Sequence, residues 1–236
     1  MSDTADRPVV AVVVFPGSND DRDAQRALTR LGADARRVWH TERTLPAGTG
    51  AVVLPGGFSF GDYLRCGAIA RFSPVLDAVG RFARDGGPVL GICNGFQILT
   101  EAGLLPGLLR PNRSLAFVCR DVPVSVERVD TPLLGRCRAG ETLTLPVKHG
   151  EGCWFGDDDL LAELASTDRI ALRYTDGSNP NGSVGDVAGV LSAEGNILGL
   201  MPHPEHAVDP LLGSTDGTLV MGSLVDAARM TAATLV

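Results

Sequence analysis

The run Pro88-Val89-Leu90-Gly91-Ile92-Cys93-Asn94-Gly95-Phe96-Gln97-Ile98-Leu99 constrains the fold more than any other part of this 236-residue chain. Residues 88–92 are short, apolar and preceded by Gly86-Gly87, the pattern of a strand buried in a core. From residue 94 to 101, Phe96, Ile98 and Leu99 recur at helical spacing, and Gly103 can close that helix. A buried strand turning at once into a helix belongs to an α/β sheet. Gly91-x-Cys93-x-Gly95 is the cysteine counterpart of the Gly-x-Ser-x-Gly nucleophile elbow. Glycines on either side let the backbone turn tightly, and the helix N-terminus favours negative charge on the sulfur. Taken alone, Cys93 serves equally as a small buried hydrophobe.

The flanking sequence repeats the alternation. Residues 9–15 read as a first strand and Pro16-Gly17-Ser18-Asn19 as a turn. Asn19 or Asp20 caps a helix ending near Gly32. Strands follow at 35–39 and 51–54, the latter running into Pro55-Gly56-Gly57. Ser73-Pro74 starts a helix that turns Val75, Val79 and Phe82 inward. The expected fold is α/β, a mostly parallel central sheet with helices on both faces. After Gly107 come short strands at 122–126, 143–147 and 170–174, with a short helix at 157–165. A β-hairpin follows, 187–191 with 197–200, so this C-terminal portion is smaller and hairpin-rich. A final amphipathic helix spans about 218–231, with Leu219, Leu224, Val225 and Ala228 inward. No repeat or linker interrupts the pattern. Residues 1–7 read as a polar tail and 8–236 as a single domain.

Net charge is −7 and no basic block occurs, which argues against nucleic acid or an anionic membrane as partner. The five cysteines (Cys66, Cys93, Cys119, Cys137, Cys153) include no Cys-x-x-Cys pair. Neither a metal site nor a disulfide framework is expected, and a cytoplasmic setting fits. No signal peptide or membrane span is read. Lys148 is the only lysine beside twenty arginines, a feature read here as coding bias without mechanism.

The hairpin leads into Met201-Pro202-His203-Pro204-Glu205. In an extended stretch, residues two apart project to one side, so His203 and Glu205 can act as a base and its orienting carboxylate. A chance pair on a surface loop is the alternative. Acyl transfer also needs backbone N–H groups aimed at a developing oxyanion. Asn94, at the helix start, and Gly57, in the preceding βα turn, are the candidates. The peptide of the Gly56-Gly57 turn can point its N–H away until a partner docks, in which case the isolated chain would be a poor catalyst.

Together these residues resemble the class I (triad) glutamine amidotransferases, which implies a flavodoxin-like sheet. More narrowly, they resemble the glutaminase subunits of phosphoribosylformylglycinamidine synthase in purine biosynthesis. The narrower resemblance rests on Phe15-Pro-Gly-Ser-Asn19, the stretch from Leu54 through Gly-Gly-Phe-Ser-Phe-Gly-Asp-Tyr-Leu-Arg-Cys-Gly to Ala70, His149-Gly-Glu-Gly152, Asn179-Pro-Asn-Gly-Ser183 and Gly199-Leu-Met-Pro-His-Pro-Glu205. Two departures stand out: Phe60 where tyrosine is expected, and His206 where arginine is expected.

The resemblance implies that Cys93, His203 and Glu205 hydrolyse glutamine through a glutamyl thioester. Gln97, His149, Gly150 and Glu151 would hold the glutamine. Read from the residues alone, Gln97 can be merely solvated and His149 merely structural. The implied partner is a large ATP-using synthetase subunit, with or without a small third subunit bridging the two. It would use the ammonia to convert formylglycinamide ribonucleotide to the amidine. No phosphate loop of the Gly-x-x-x-x-Gly-Lys type is present, so no cofactor is expected in this chain, and ATP and Mg belong to the partner. The competing readings are a glutaminase serving another ammonia acceptor, a cysteine-elbow hydrolase, and a catalytically silent subunit.

Overall fold

The strand that ends at the elbow lies between two parallel neighbours, and this arrangement builds the site. The structure, a computed structural model, describes residues 7–175 and 177–234, so six residues of the expected tail fall outside it. In chain order the first half contains β1 (Val9–Val14), α1 (Asp21–Arg30), β2 (Asp34–Trp39), β3 (Thr49–Leu54), α2 (Pro74–Arg84), β4 (Val89–Ile92) and α3 (Asn94–Glu101). The second half contains β5 (Leu108–Arg110), β6 (Val118–Val126), β7 (Thr142–His149), β8 (Cys153–Phe155), α4 (Asp158–Ser166), β9 (Ile170–Tyr174), β10 (Val187–Leu191), β11 (Ile197–Leu200) and α5 (Gly217–Thr234).

Among the described residues, nine strands form one sheet in the order β2-β1-β3-β4-β11-β10-β9-β6-β7. From β2 to β11 every pairing is parallel; from β11 to β7 every pairing is antiparallel. The hairpin-rich portion therefore continues the same sheet. β3 and β4 are buried along their whole length, as strands covered on both faces must be, which is why they read as unbroken apolar runs. β2 lies at an edge and exposes Arg36, Arg37 and Trp39. α1 and α5 pack together and against β1, while α3 packs on β3, β4 and β11. Among the described residues, the three-residue strands β5 and β8 pair only with each other; their brevity leaves no periodicity to read in the sequence.

The hairpin supplies the decisive placement. β11 returns beside β4 in parallel, with Gly91 opposite Gly199 and Ile92 opposite Leu200. The loops after β4 and β11 thus leave the sheet side by side at its carboxyl edge, where open α/β sheets bind ligands. One begins with Cys93, the other carries His203. Among the described residues, no helix is long and apolar enough to cross a membrane.

Candidate active site

Cys93 sits between β4 and α3 with φ 51° and ψ −104°, a left-handed conformation unusual for a residue bearing a Cβ. Such strain costs about 1–3 kcal/mol and persists only where the surroundings impose it. The two flanking glycines do not carry the turn; they permit close packing. A Cβ on Gly95 would lie 1.9 Å from the Leu54 carbonyl oxygen, and one on Gly91 2.5 Å from the Leu99 side chain. The helix is thereby pressed onto β3, and the strained turn falls on the cysteine.

The thiol donates to the Lys148 carbonyl at 3.9 Å and lines a cavity of about 270 Å³. Asn19, Asp20, Gly57, Asp62, Gln97 and His149 also face this cavity.

His203 and Glu205 are fully buried, and His203 Nδ1 lies 2.6 Å from Glu205 Oε1. The stretch is not extended as the spacing argument supposed. His203 has φ −107° and ψ 87°, and residues 204–206 form a single 3-10 turn begun by Pro204. That turn, rather than strand alternation, folds the carboxylate back onto the ring. Nε2 of His203 has no hydrogen-bond partner among the described residues and is left for the sulfur. Burial opposes a charged ring, but the Glu205 carboxylate and the Cys93 sulfur outweigh it and raise the His203 pKa well above the histidine range. The arrangement favours an imidazolium beside a sulfur nucleophile.

Of the two oxyanion candidates, Gly57 lines the cavity and Asn94 directly follows Cys93. Asn94 is the first residue of α3, so its N–H has no acceptor within the helix. The Gly56 carbonyl accepts from the N–H groups of Asn19 and Asp20, each at 3.2 Å. With no cis peptide present among the described residues, the Gly57 N–H points the opposite way. The two bonds to the Gly56 carbonyl hold the 56–57 peptide in this orientation. Gly57 itself has φ 151°, and a Cβ there would come within 2.6 Å of the Gly17 oxygen.

Gln97 is buried, not solvated. It accepts from Asn94 Nδ2 at 2.9 Å and donates to the Glu151 carbonyl, tying α3 to the 149–152 loop. His149 is buried, while Gly150 and Glu151 are half-buried on the cavity wall. Burial raises the Asp62 carboxyl; a Cys66 hydrogen bond opposes and the Glu151 carboxylate adds to the rise.

Sequence reasoning missed a second charged cluster. Asp20 stands at the N-cap of α1, yet its side chain makes no cap bond. Nearly buried, it instead pairs with the ammonium of Lys148 and lies 3.3 Å from His206 Nε2 and 3.7 Å from His203 Nδ1. Burial would raise this carboxyl, but His206, His203 and Lys148 together hold it below the ordinary carboxylate range. The resemblance placed an arginine at 206. Here His206 and Lys148 both face Asp20, so the only lysine of the chain has a specific partner. Asp20, His203, Glu205 and His206 present ligand atoms within 4.8 Å of one another, a set able to hold a metal ion. The Lys148 ammonium already supplies positive charge to it.

With this geometry in place, the likeness of the chain to known proteins is informative. The CobB/CobQ-like glutamine amidotransferase domain matches residues 7–217. A phosphoribosylformylglycinamidine synthase subunit PurQ of Rubrobacter xylanophilus is 57% identical over 221 residues, covering 94% of this chain and 99% of that protein. The PurQ subunit of Parasynechococcus marenigrum is 57% identical over 217 residues, covering 92% and 99%. The chain belongs to the PurQ family of glutamine amidotransferases. A chain in the PurLQS structure from Thermotoga maritima superposes on this glutamine amidotransferase with TM-score 0.85 at 42% identity, covering 93% of this chain and 98% of that one.

Proposed function

We propose that this chain is the glutaminase subunit of phosphoribosylformylglycinamidine synthase, folded as one domain over residues 8–236, with Cys93, His203 and Glu205 as its catalytic residues. The observation that carries the reading is a strained, cavity-lining Cys93 beside a buried His203 whose other ring nitrogen is 2.6 Å from Glu205. His203 takes the thiol proton and the sulfur attacks the side-chain amide carbon of glutamine. The N–H groups of Gly57 and Asn94 hold the oxyanion. Imidazolium then protonates the departing nitrogen, leaving a glutamyl thioester and ammonia, and His203 next activates the water that releases glutamate. Asp62 and Glu151 repel each other in the cavity, and the α-ammonium of glutamine relieves that repulsion.

The ammonia goes to a synthetase subunit that binds ATP and Mg and forms the amidine. Exposed Phe58 and Phe117 line the cavity and, with exposed Tyr63, Leu64 and Leu115 close to its residues in sequence, suit docking of that partner, with or without a small third subunit. The test is to mix the chain with the synthetase of the same cell, formylglycinamide ribonucleotide, Mg-ATP and glutamine. Matched yields of ADP, glutamate and amidine are expected. Glutamate without amidine would move the chain to another ammonia acceptor.

A further inference from the structure

The loop Asn179-Pro180-Asn181-Gly182-Ser183 takes no part in the steps above, yet one of its side chains contacts His149, a residue of the cavity wall. Asn181 is buried. The Ser183 backbone N–H donates to its Oδ1 at 3.0 Å, and the Ser183 hydroxyl reaches the same oxygen at 2.7 Å. A backbone N–H can only donate, so the amide orientation is settled and the NH₂ group faces the other way. That NH₂ donates to the Tyr174 hydroxyl at 3.2 Å and meets His149 Nε2 at 3.0 Å. An amide NH₂ cannot accept, so Nε2 must. His149 is then neutral, with its proton on Nδ1. Burial and the nearby His203 charge act in the same direction, lowering the His149 pKa to about 3.

Nδ1 is buried and has no hydrogen-bond partner among the described residues. The Cδ2–Nε2 edge of the ring lies against Gly152, where a Cβ would stand 2.2 Å from Cδ2 and 2.3 Å from Nε2. The Nδ1–Cε1 edge is turned away from Gly152, and His149 lines the Cys93 cavity. A buried N–H without an acceptor is rare in folded proteins and needs an explanation.

We propose that Asn181 is a positioning residue that sets His149 in its Nδ1–H tautomer, and that this N–H donates to an oxygen of glutamine bound in the Cys93 cavity. The proposal rests on the glutaminase reading, but its first test does not. With only four histidines in the chain, ¹⁵N-histidine labelling resolves each ring, and His149→Gln assigns the one in question. The free wild-type protein should show His149 unprotonated at Nε2 and protonated at Nδ1 across neutral pH. A proton on Nε2 would overturn the proposal.

The second test uses Asn181→Asp in complex with the synthetase. A carboxylate cannot donate, so Nε2 must acquire the proton; burial and His203 oppose a charged ring, and the tautomer reverses. A lone pair then stands where the N–H stood. KM for glutamine should rise about tenfold with kcat much less changed. Ammonia-dependent amidine formation should stay at the wild-type rate. An unchanged KM together with a reversed spectrum would refute the role in binding. If the variant does not fold, the wild-type spectrum still decides the tautomer. A wild-type complex that ignores glutamine would instead refute the glutaminase reading.

Discussion

Lys148→Met removes the ammonium that neutralises Asp20 and leaves the backbone carbonyl facing Cys93 in place. The Asp20 side chain is 5% exposed and the Lys148 side chain 31%. A fully exposed pair contributes about 0–1 kcal/mol, whereas breaking a buried pair from one side costs about 3–5 kcal/mol. This pair lies between those limits, and His206 remains 3.3 Å from Asp20 to take part of the load. A loss of about 2 kcal/mol follows, or roughly 4–8 °C in Tm for a chain of this size. The sign with pH is determined by Asp20. Its carboxyl is held below the ordinary range, so its contribution is complete above the unfolded value of about 3.9 and is lost as pH falls through the lower folded value. The gap between wild type and variant should be widest near neutrality and close in acid. Calorimetry of wild type, Lys148→Met, Asp20→Asn and the double variant provides the assay. The double variant should be less destabilised than the sum of the singles, because no unpaired charge remains. A Tm within 1 °C (roughly 0.3 kcal/mol) of wild type for Lys148→Met, or strict additivity, would refute the reasoning.

Two further outcomes follow from the triad and the oxyanion site. His203→Ala removes the general base and should lower glutamine-dependent turnover by about 10²–10⁴-fold, measured as glutamate release; near-normal turnover would remove His203 from the mechanism. Gly57→Ala should lower kcat by about 10²–10³-fold, because a Cβ within 2.6 Å of the Gly17 oxygen displaces the peptide proposed to donate to the oxyanion. Retention of kcat within about threefold would assign the oxyanion contact to another group.

What the sequence made legible was local. The elbow showed in five residues because strand, turn and helix signals abut there, and His203 and Glu205 showed because they lie two apart. The spacing brought His203 and Glu205 together on the wrong local geometry, since Pro204 starts a turn where an extended stretch was expected. The charged cluster was not legible because its contacts span the chain: Lys148 is 128 residues from Asp20, and His206 is 186. A signal did exist, since one lysine among twenty arginines is an anomaly that composition alone could not place. Asp20 was read as a helix cap from residue type and position. Only the tertiary arrangement, with a carbonyl from the 56–57 turn and a lysine from β7, shows the side chain turned away from its own helix. The nine-stranded sheet was half visible for a similar reason. Alternating β and α signals forecast parallel neighbours, whereas the joining of the hairpin to β4 is a long-range pairing with no local mark.

The central claim is that Cys93 generates ammonia from glutamine for a synthetase that uses it elsewhere. Cys93→Ala in the assembled complex tests this most directly, with amidine formation followed on glutamine and on ammonium chloride in parallel. The account predicts no detectable amidine from glutamine and a wild-type rate from ammonia. Continued glutamine use by the variant would contradict it.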